Sequence, residues 1–270
     1  MMKFPQLKHS RPKYLQLAIT VAGGLFLLFI AAPLARLMLS TSADRLFATA
    51  NDPEVSSSIG LSLGMAAIAT LVTSFFAVPF AWLMARKEGR WKHFISGLID
   101  LPMMIPHSAA GIALLGIVNR ESIVGKAASA VGIDFIDRPA GIALAMAFVS
   151  VPYLYNAAYH AFASIPKRLE LAAANLGAKP ATVFYSISLP LAGRGILNGL
   201  VMMFARGMSE FGAVIMVAYN PFTTPVLIFD RFNAFGLRDA QAVSALFILI
   251  SLVVFIVLRI LSKPEEDVRN

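Results

Sequence analysis

Residues 165–190 read Ile165-Pro166-Lys167-Arg168-Leu169-Glu170-Leu171-Ala172-Ala173-Ala174-Asn175-Leu176-Gly177-Ala178-Lys179-Pro180-Ala181-Thr182-Val183-Phe184-Tyr185-Ser186-Ile187-Ser188-Leu189-Pro190. The stretch is too polar to cross a bilayer and too patterned for a loose loop. Pro166 suits the start of a helix, residues 167–176 are strong helix formers, and Gly177 suits a C-terminal cap. Pro180 begins a second short helix that Pro190 is expected to stop. Two short helices joined at a glycine turn make either a docking knob or an amphipathic hairpin lying in the membrane interface.

Apolar sequence lies on both sides of this stretch. A membrane-crossing helix needs about 20 mostly apolar residues, and six stretches qualify: 14–38, 58–85, 94–118, 140–163, 191–219 and 241–261. The second and fifth exceed the need, which predicts tilt or extension beyond the hydrocarbon. The chain of 270 residues is 58% hydrophobic and only 14% charged. Soluble domains run at about 45–50% apolar and about 25% charged, so too few charges remain to wet two globules. The fold class is therefore an all-α membrane protein with six transmembrane helices, and residues 1–270 form one transmembrane domain. The apolar run after the first four cations is longer than the about 7–15 residues of a signal peptide, and is read as a span. The absence of cysteine excludes disulfide frameworks, thiol nucleophiles and cysteine-ligated metals.

The net charge of +8 resolves when lysines and arginines are placed by segment. With six spans, one side holds Lys3, Lys8, Arg11, Lys13, Arg86, Lys87, Arg90, Lys92, Lys167, Arg168, Lys179, Arg194, Arg259, Lys263 and Arg269, 15 in all. The other holds 7: Arg36, Arg45, Arg120, Lys126, Arg138, Arg231 and Arg238. Both termini and segment 166–190 are thus expected in the cytoplasm. Asp44, Asp52, Glu54, Glu121, Asp134, Asp137, Asp230 and Asp239 fall outside. The positive charge is mostly topology, and no basic helix remains to suggest a nucleic-acid partner.

Charges in the apolar zone are costly and usually face protein or water. Arg206 and Glu210 are spaced i, i+4 in span five, so they share a helix face. They are either a self-neutralising pair that fixes helix rotation or a pair lining or supporting a pathway gate. Ser209 lies between them. Pro102 and Pro106 break span three just before His107, making either a packed kink or one wall of a wet path. His107 reads as a core or pore-side imidazole, and Asp100 as a solvated acid near the cytoplasmic end. Gly60 with Gly64, and Gly195 with Gly199, form GxxxG pairs read as packing within the subunit. The four histidines are scattered without an acidic cluster, so no metal site is expected. No P-loop, GxSxG or GxGxxG occurs, and the chain is not expected to be an enzyme.

Segment 165–190 resembles the EAA motif of ATP-binding-cassette (ABC) importer permeases: Glu-Ala-Ala, three residues, Gly, nine residues, Ile, one residue, Leu-Pro. Ala172, Ala173, Gly177, Ile187, Leu189 and Pro190 match its spacing. The motif's glutamate position holds Leu171, with Glu170 beside it. Residues 206–213 resemble the GEFGA element of sulfate and molybdate permeases. Residues 101–115 resemble the LP…P…aGiaLL stretch of molybdate/tungstate permeases. The resemblance covers about residue 58 to the C-terminus.

It implies a homodimer of six-helix subunits in a prokaryotic cell membrane, moving molybdate or tungstate inward by alternating access. It implies two cytoplasmic ATP-binding subunits, which carry ATP and magnesium while this chain carries no cofactor, and an external oxyanion-binding protein. Docking to the ATPase would fall to Glu170, Leu171, Ala172, Ala173, Gly177 and Ala178. The pathway or gate candidates are Pro106, His107, Arg206, Ser209 and Glu210. A sulfate permease is the nearest alternative, and a secondary transporter coupled through Glu210 or Asp100 a more distant one. If Arg206 and Glu210 pair, neutralising both should cost less transport activity than neutralising either alone. Additive losses in the two single variants and the double variant would argue against the pair.

Overall fold

A computed structural model describes residues 13–261. The cations at positions 3, 8, 11, 263 and 269, and the side chain of Lys13, lie outside the described residues. Every regular element among the described residues is helical. In chain order they are α1 (Lys13–Leu39), α2 (Ala43–Ala50), α3 (Pro53–Arg86), α4 (Arg90–Met104), α5 (His107–Val118), α6 (Ile123–Ala130) and α7 (Pro139–Ala163). Next come α8 (Lys167–Asn175), α9 (Pro180–Val183), a π-helical turn (Phe184–Ser188), α10 (Leu189–Met208), α11 (Gly212–Val217), α12 (Thr224–Phe235) and α13 (Leu237–Leu261).

The longest helix shows how local sequence sets its element. Asp52 caps α3 by accepting the Glu54 N–H at 2.9 Å, and Pro53 occupies the first turn, where a missing donor costs nothing. At about 1.5 Å per residue α3 is about 51 Å long, well beyond a hydrocarbon core of about 30 Å. α3, α7 and α10 pack together as the centre of the bundle. Two apolar clusters fill it, one around Ile142, Met146 and Val214, the other around Leu154, Phe162 and Met203. Close approach depends on small residues. A Cβ on Gly195 would lie 2.4 Å from the Ala161 Cβ, and one on Gly199 2.8 Å from the Ala157 Cβ, so this GxxxG pair seats α10 on α7. The Gly60 and Gly64 pair meets nothing within 4 Å and takes no part in packing inside the chain. α1 also lies outside the bundle, with Phe26, Leu27 and Phe29 exposed.

Among the described residues five helices are long and apolar enough to cross a membrane, and the α4–α5 pair makes a sixth if its halves count as one span. Spans one, two, four and six correspond to α1, α3, α7 and α13. Span three is not a single rod: α4 and α5 are bent by 112° at Ile105-Pro106. Pro106 bars the helical conformation from Ile105, which is extended at φ −86° and ψ 150°. Span five ends at Met208 rather than residue 219, because Ser209-Glu210-Phe211 interrupt it before α11. Pro190 does not stop the preceding helix. The helical run continues from Pro180 to Met208, because the carbonyl of Ser186 that would strike the proline ring lies in the widened π turn.

The packing yields a stability contrast. Gly195→Ala and Gly199→Ala should each lower stability by about 1–3 kcal/mol through overpacking, while Gly64→Ala should be neutral or slightly stabilising. Thermal unfolding of the detergent-purified chain checks the ranking; equal melting temperatures for all three would refute the packing described.

Candidate functional site

Two clusters gather the residues singled out from sequence. The first is the knob at the end of the bundle that also carries Arg86, Lys87, Arg90, Lys167, Arg168 and Lys179. α8 follows Pro166 and is capped past its end by Gly177, whose φ of +87° is open to glycine at little cost. The Gly177 N–H donates to the Ala174 carbonyl at 2.9 Å and the Ala178 N–H to the Ala173 carbonyl at 3.0 Å, a Schellman cap. The turn projects apolar side chains: Leu171 is 62% and Leu176 89% exposed, with Leu169 and Tyr185 also open. Ala172 and Gly177 are exposed, and Ala173 and Ala178 half-buried.

Glu170 behaves differently from its neighbours. Its carboxylate turns into the bundle and receives Arg86 through two parallel bonds, Nε to Oε2 at 2.7 Å and Nη2 to Oε1 at 2.8 Å. The Trp82 indole N–H donates to Oε1 at 3.1 Å, and the Ser188 hydroxyl donates to the same oxygen. The remaining Arg86 nitrogen, Nη1, donates to the Phe162 carbonyl at 2.9 Å. Burial pushes the Glu170 carboxyl up. The hydrogen bonds from Arg86, Ser188 and Trp82 outweigh it and hold the group below the ordinary glutamate range. Hydrogen bonds to a charged partner contribute about 1.5–3 kcal/mol each in proteins, so this partly buried network outranks the nearby Lys167–Glu88 pair, which water screens. Trp82, Arg86 and Ser188 escaped sequence reading because Arg86 counted only as a topology charge. The available signal was that Glu170 is the sole acid in segment 165–190.

The second cluster sits where two helix breaks meet. The Glu210 side chain is 1% exposed. Its Oε1 accepts the Ala213 N–H at the start of α11 at 2.8 Å. Its Oε2 lies 2.8 Å from Arg206 Nη2 and 3.1 Å from His107 Nδ1, ionic distances without hydrogen-bond alignment. Arg206 Nη2 also lies 2.8 Å from His107 Nδ1. The i, i+4 pair expected from sequence is thus present, with a third member that spacing could not reveal. His107 opens α5 directly after the Pro106 break and is 34% exposed. The Ser209 hydroxyl donates to the Arg206 carbonyl at 3.1 Å. Backbone contact is close here: a Cβ on Gly111 would lie 2.7 Å from the Ala213 oxygen, and one on Gly212 2.8 Å from the His107 Cβ. Asp100 is not simply solvated, since the Asn156 side-chain amide donates to it at 2.7 Å. Among the described residues no three His, Asp or Glu side chains are grouped to hold a metal.

The family model described as binding-protein-dependent transport system inner membrane component matches residues 77–263. The molybdate/tungstate transport system permease protein WtpB of Pyrococcus furiosus is 39% identical over 252 residues, 93% of this chain and 96% of that protein. The probable sulfate transport system permease protein cysT of Chlorokybus atmophyticus is 33% identical over 223 residues, 80% of this chain and 78% of that protein. A solved bacterial ABC transporter involved in the import of the acidic polysaccharide alginate superposes with a TM-score of 0.72 at 16% identity, over 92% of this chain and 95% of that one. That likeness shows the fold. The family model covers well over half of the chain, and with the relatives it makes the chain a member of the binding-protein-dependent transport system inner membrane component family, a multi-pass membrane permease subunit of an ABC importer rather than an enzyme.

Proposed function

We propose that the chain forms the membrane path of a molybdate/tungstate importer, acting as a homodimer with two ATP-binding subunits and an external oxyanion-binding protein. The substrate class is supported by the WtpB relative, which aligns along almost the whole chain. The observation that carries the partner assignment is the α8 knob. It leaves Leu171 and Leu176 exposed at a basic end of the bundle, and an exposed apolar patch away from lipid marks a protein-docking surface. By the excess of lysine and arginine this end faces the cytoplasm, with both termini, in the cell membrane of a prokaryote. The ATPase subunits, which hold ATP and magnesium, dock on Leu171, Ala172, Ala173, Gly177 and Ala178. The acidic end, with Asp52, Glu54, Asp137 and Asp230, receives the external binding protein. Residues 1–270 act as one permease domain.

In this reading the path runs by the two helix breaks. Pro106 and Ser209 mark the breaks, and His107, Arg206 and Glu210 hold the half-helices α5 and α11 together beside them. Closure of the ATPase subunits pushes the knobs inward and rocks the bundle outward-open; hydrolysis returns it. Arg206 is neutralised by Glu210, so the path holds no strong fixed positive charge. A dianion can therefore leave it.

A sulfate substrate is the second reading, favoured by the cysT relative. A secondary transporter needs an acid free to bind and release a coupling ion. Both intramembrane acids are already engaged, Glu210 by Arg206 and Asp100 by Asn156.

The complete transporter in proteoliposomes should take up radiolabelled molybdate only with ATP inside and binding protein outside. Uptake by the chain alone without ATP would sink the importer reading, and uptake of sulfate in preference to molybdate would change the substrate. A second expectation concerns the knob. Gly177→Val places a β-branched residue at φ +87°, costing about 1–2 kcal/mol locally. It should displace the ATPase subunits or cut transport while membrane insertion stays intact. Normal co-purification together with normal transport would refute docking at this turn.

A further inference from the structure

We propose that Arg86 and Glu170 are positioning residues that make α8 a rigid strut, so that a push on the knob reaches α3, α7 and α10 together. This rests on the reading of α8 as the ATPase dock. A nine-residue helix is marginal on its own, and no residue of α8 is fully buried. Apolar packing therefore does little to fix its angle against the bundle. Beside the water-screened Lys167–Glu88 pair, what fixes it is one carboxylate.

The anchors of that carboxylate come from separate elements. Trp82 and Arg86 belong to α3, and Ser188 to the π turn that leads into α10. Arg86 also grips the Phe162 carbonyl near the end of α7. A bidentate guanidinium–carboxylate fork constrains orientation as well as distance. α8 therefore has to drag three spans with it or break a partly buried, charge-assisted network. Adjacent residues on a helix point about 100° apart. Glu170 thus faces the bundle while Leu171, at the position the EAA motif gives to glutamate, faces outward. Glu170 holds the lever from its inner face and leaves the outer face to Leu171.

The test uses the complete transporter in proteoliposomes, with molybdate as the probe, and measures uptake and ATP hydrolysis in the same sample. In Glu170→Gln the ATPase subunits should co-purify as in the unmodified protein and ATP hydrolysis should persist. Molybdate imported per ATP should fall by about tenfold or more, the factor that one lost charge-assisted hydrogen bond brings to an equilibrium. Arg86→Lys keeps the charge but loses the fork, and should fall between the two. Amide hydrogen exchange across residues 167–176 of the permease should be faster in both variants. Unchanged molybdate per ATP would overturn the proposal. So would unchanged exchange, or loss of the ATPase subunits from Glu170→Gln, which would make Glu170 a docking contact. If Glu170→Gln does not accumulate, Ser188→Ala removes a single donor from the same carboxylate, and must still lower the ratio. Failure of the unmodified transporter to import molybdate would count against the substrate reading alone, because the exchange comparison does not depend on what is carried.

Discussion

Hydrocarbon offers no hydrogen bonds, so a carboxylate placed inside this bundle has to be neutralised by the chain itself. Glu210 is that carboxylate, and the geometry around it follows from the need. Three partners converge on it: the Arg206 guanidinium one turn back, the His107 imidazole from another span, and the Ala213 N–H. Each sits beside a break in a helix. α10 has to end for Glu210 to turn back over Ala213, and α4 has to bend for His107 to reach it. α5 and α11 approach each other closely beside these breaks, at Gly111 and Gly212. Removing any one partner leaves a charge buried with too few counter-groups, which is why such a cluster behaves as a unit.

The same chemistry recurs at the knob under weaker demand. Glu170 is near water, so its burial is partial and its neutralisation is not obligatory for insertion. It is nonetheless met by two donors from one guanidinium, an indole and a hydroxyl. With the Arg86 side chain 16% and the Glu170 side chain 12% exposed, the pair is shielded from water better than a surface ion pair. What the network adds is a fixed direction for α8.

What was legible in the sequence divides along physical lines. Apolar length is a property of consecutive residues, so α1, α3, α7 and α13 were readable, as was the Gly177 cap, which needs only local backbone chemistry. The i, i+4 spacing of Arg206 and Glu210 was readable for the same reason. The breaks were not. Pro102 and Pro106 announced a bend, but its 112° angle depends on what α5 packs against. Pro190 announced a stop, and a widened turn upstream absorbed it. Partners distant in sequence stayed hidden. His107 lies about a hundred positions from Glu210, and Arg86 more than eighty from Glu170. Periodicity carries no information at such separations.

α3 connects the two ends of the molecule. Its C-terminal end is clamped to α8 through Arg86 and Glu170. Its N-terminal end is clamped to α12, where Arg231 reaches Asp52 at 3.0 Å and also pairs with Glu54. Near the same end the Thr224 N–H donates to Ser62 at 2.8 Å, with Ser58 beside it. A single helix of 34 residues is thus tied by arginine–carboxylate contacts at each tip and packed on α7 and α10 between them. One tip lies at the knob and the other at the surface that carries Asp52, Glu54 and Arg231. In the proposed importer these are the surfaces that face the ATPase and the binding protein.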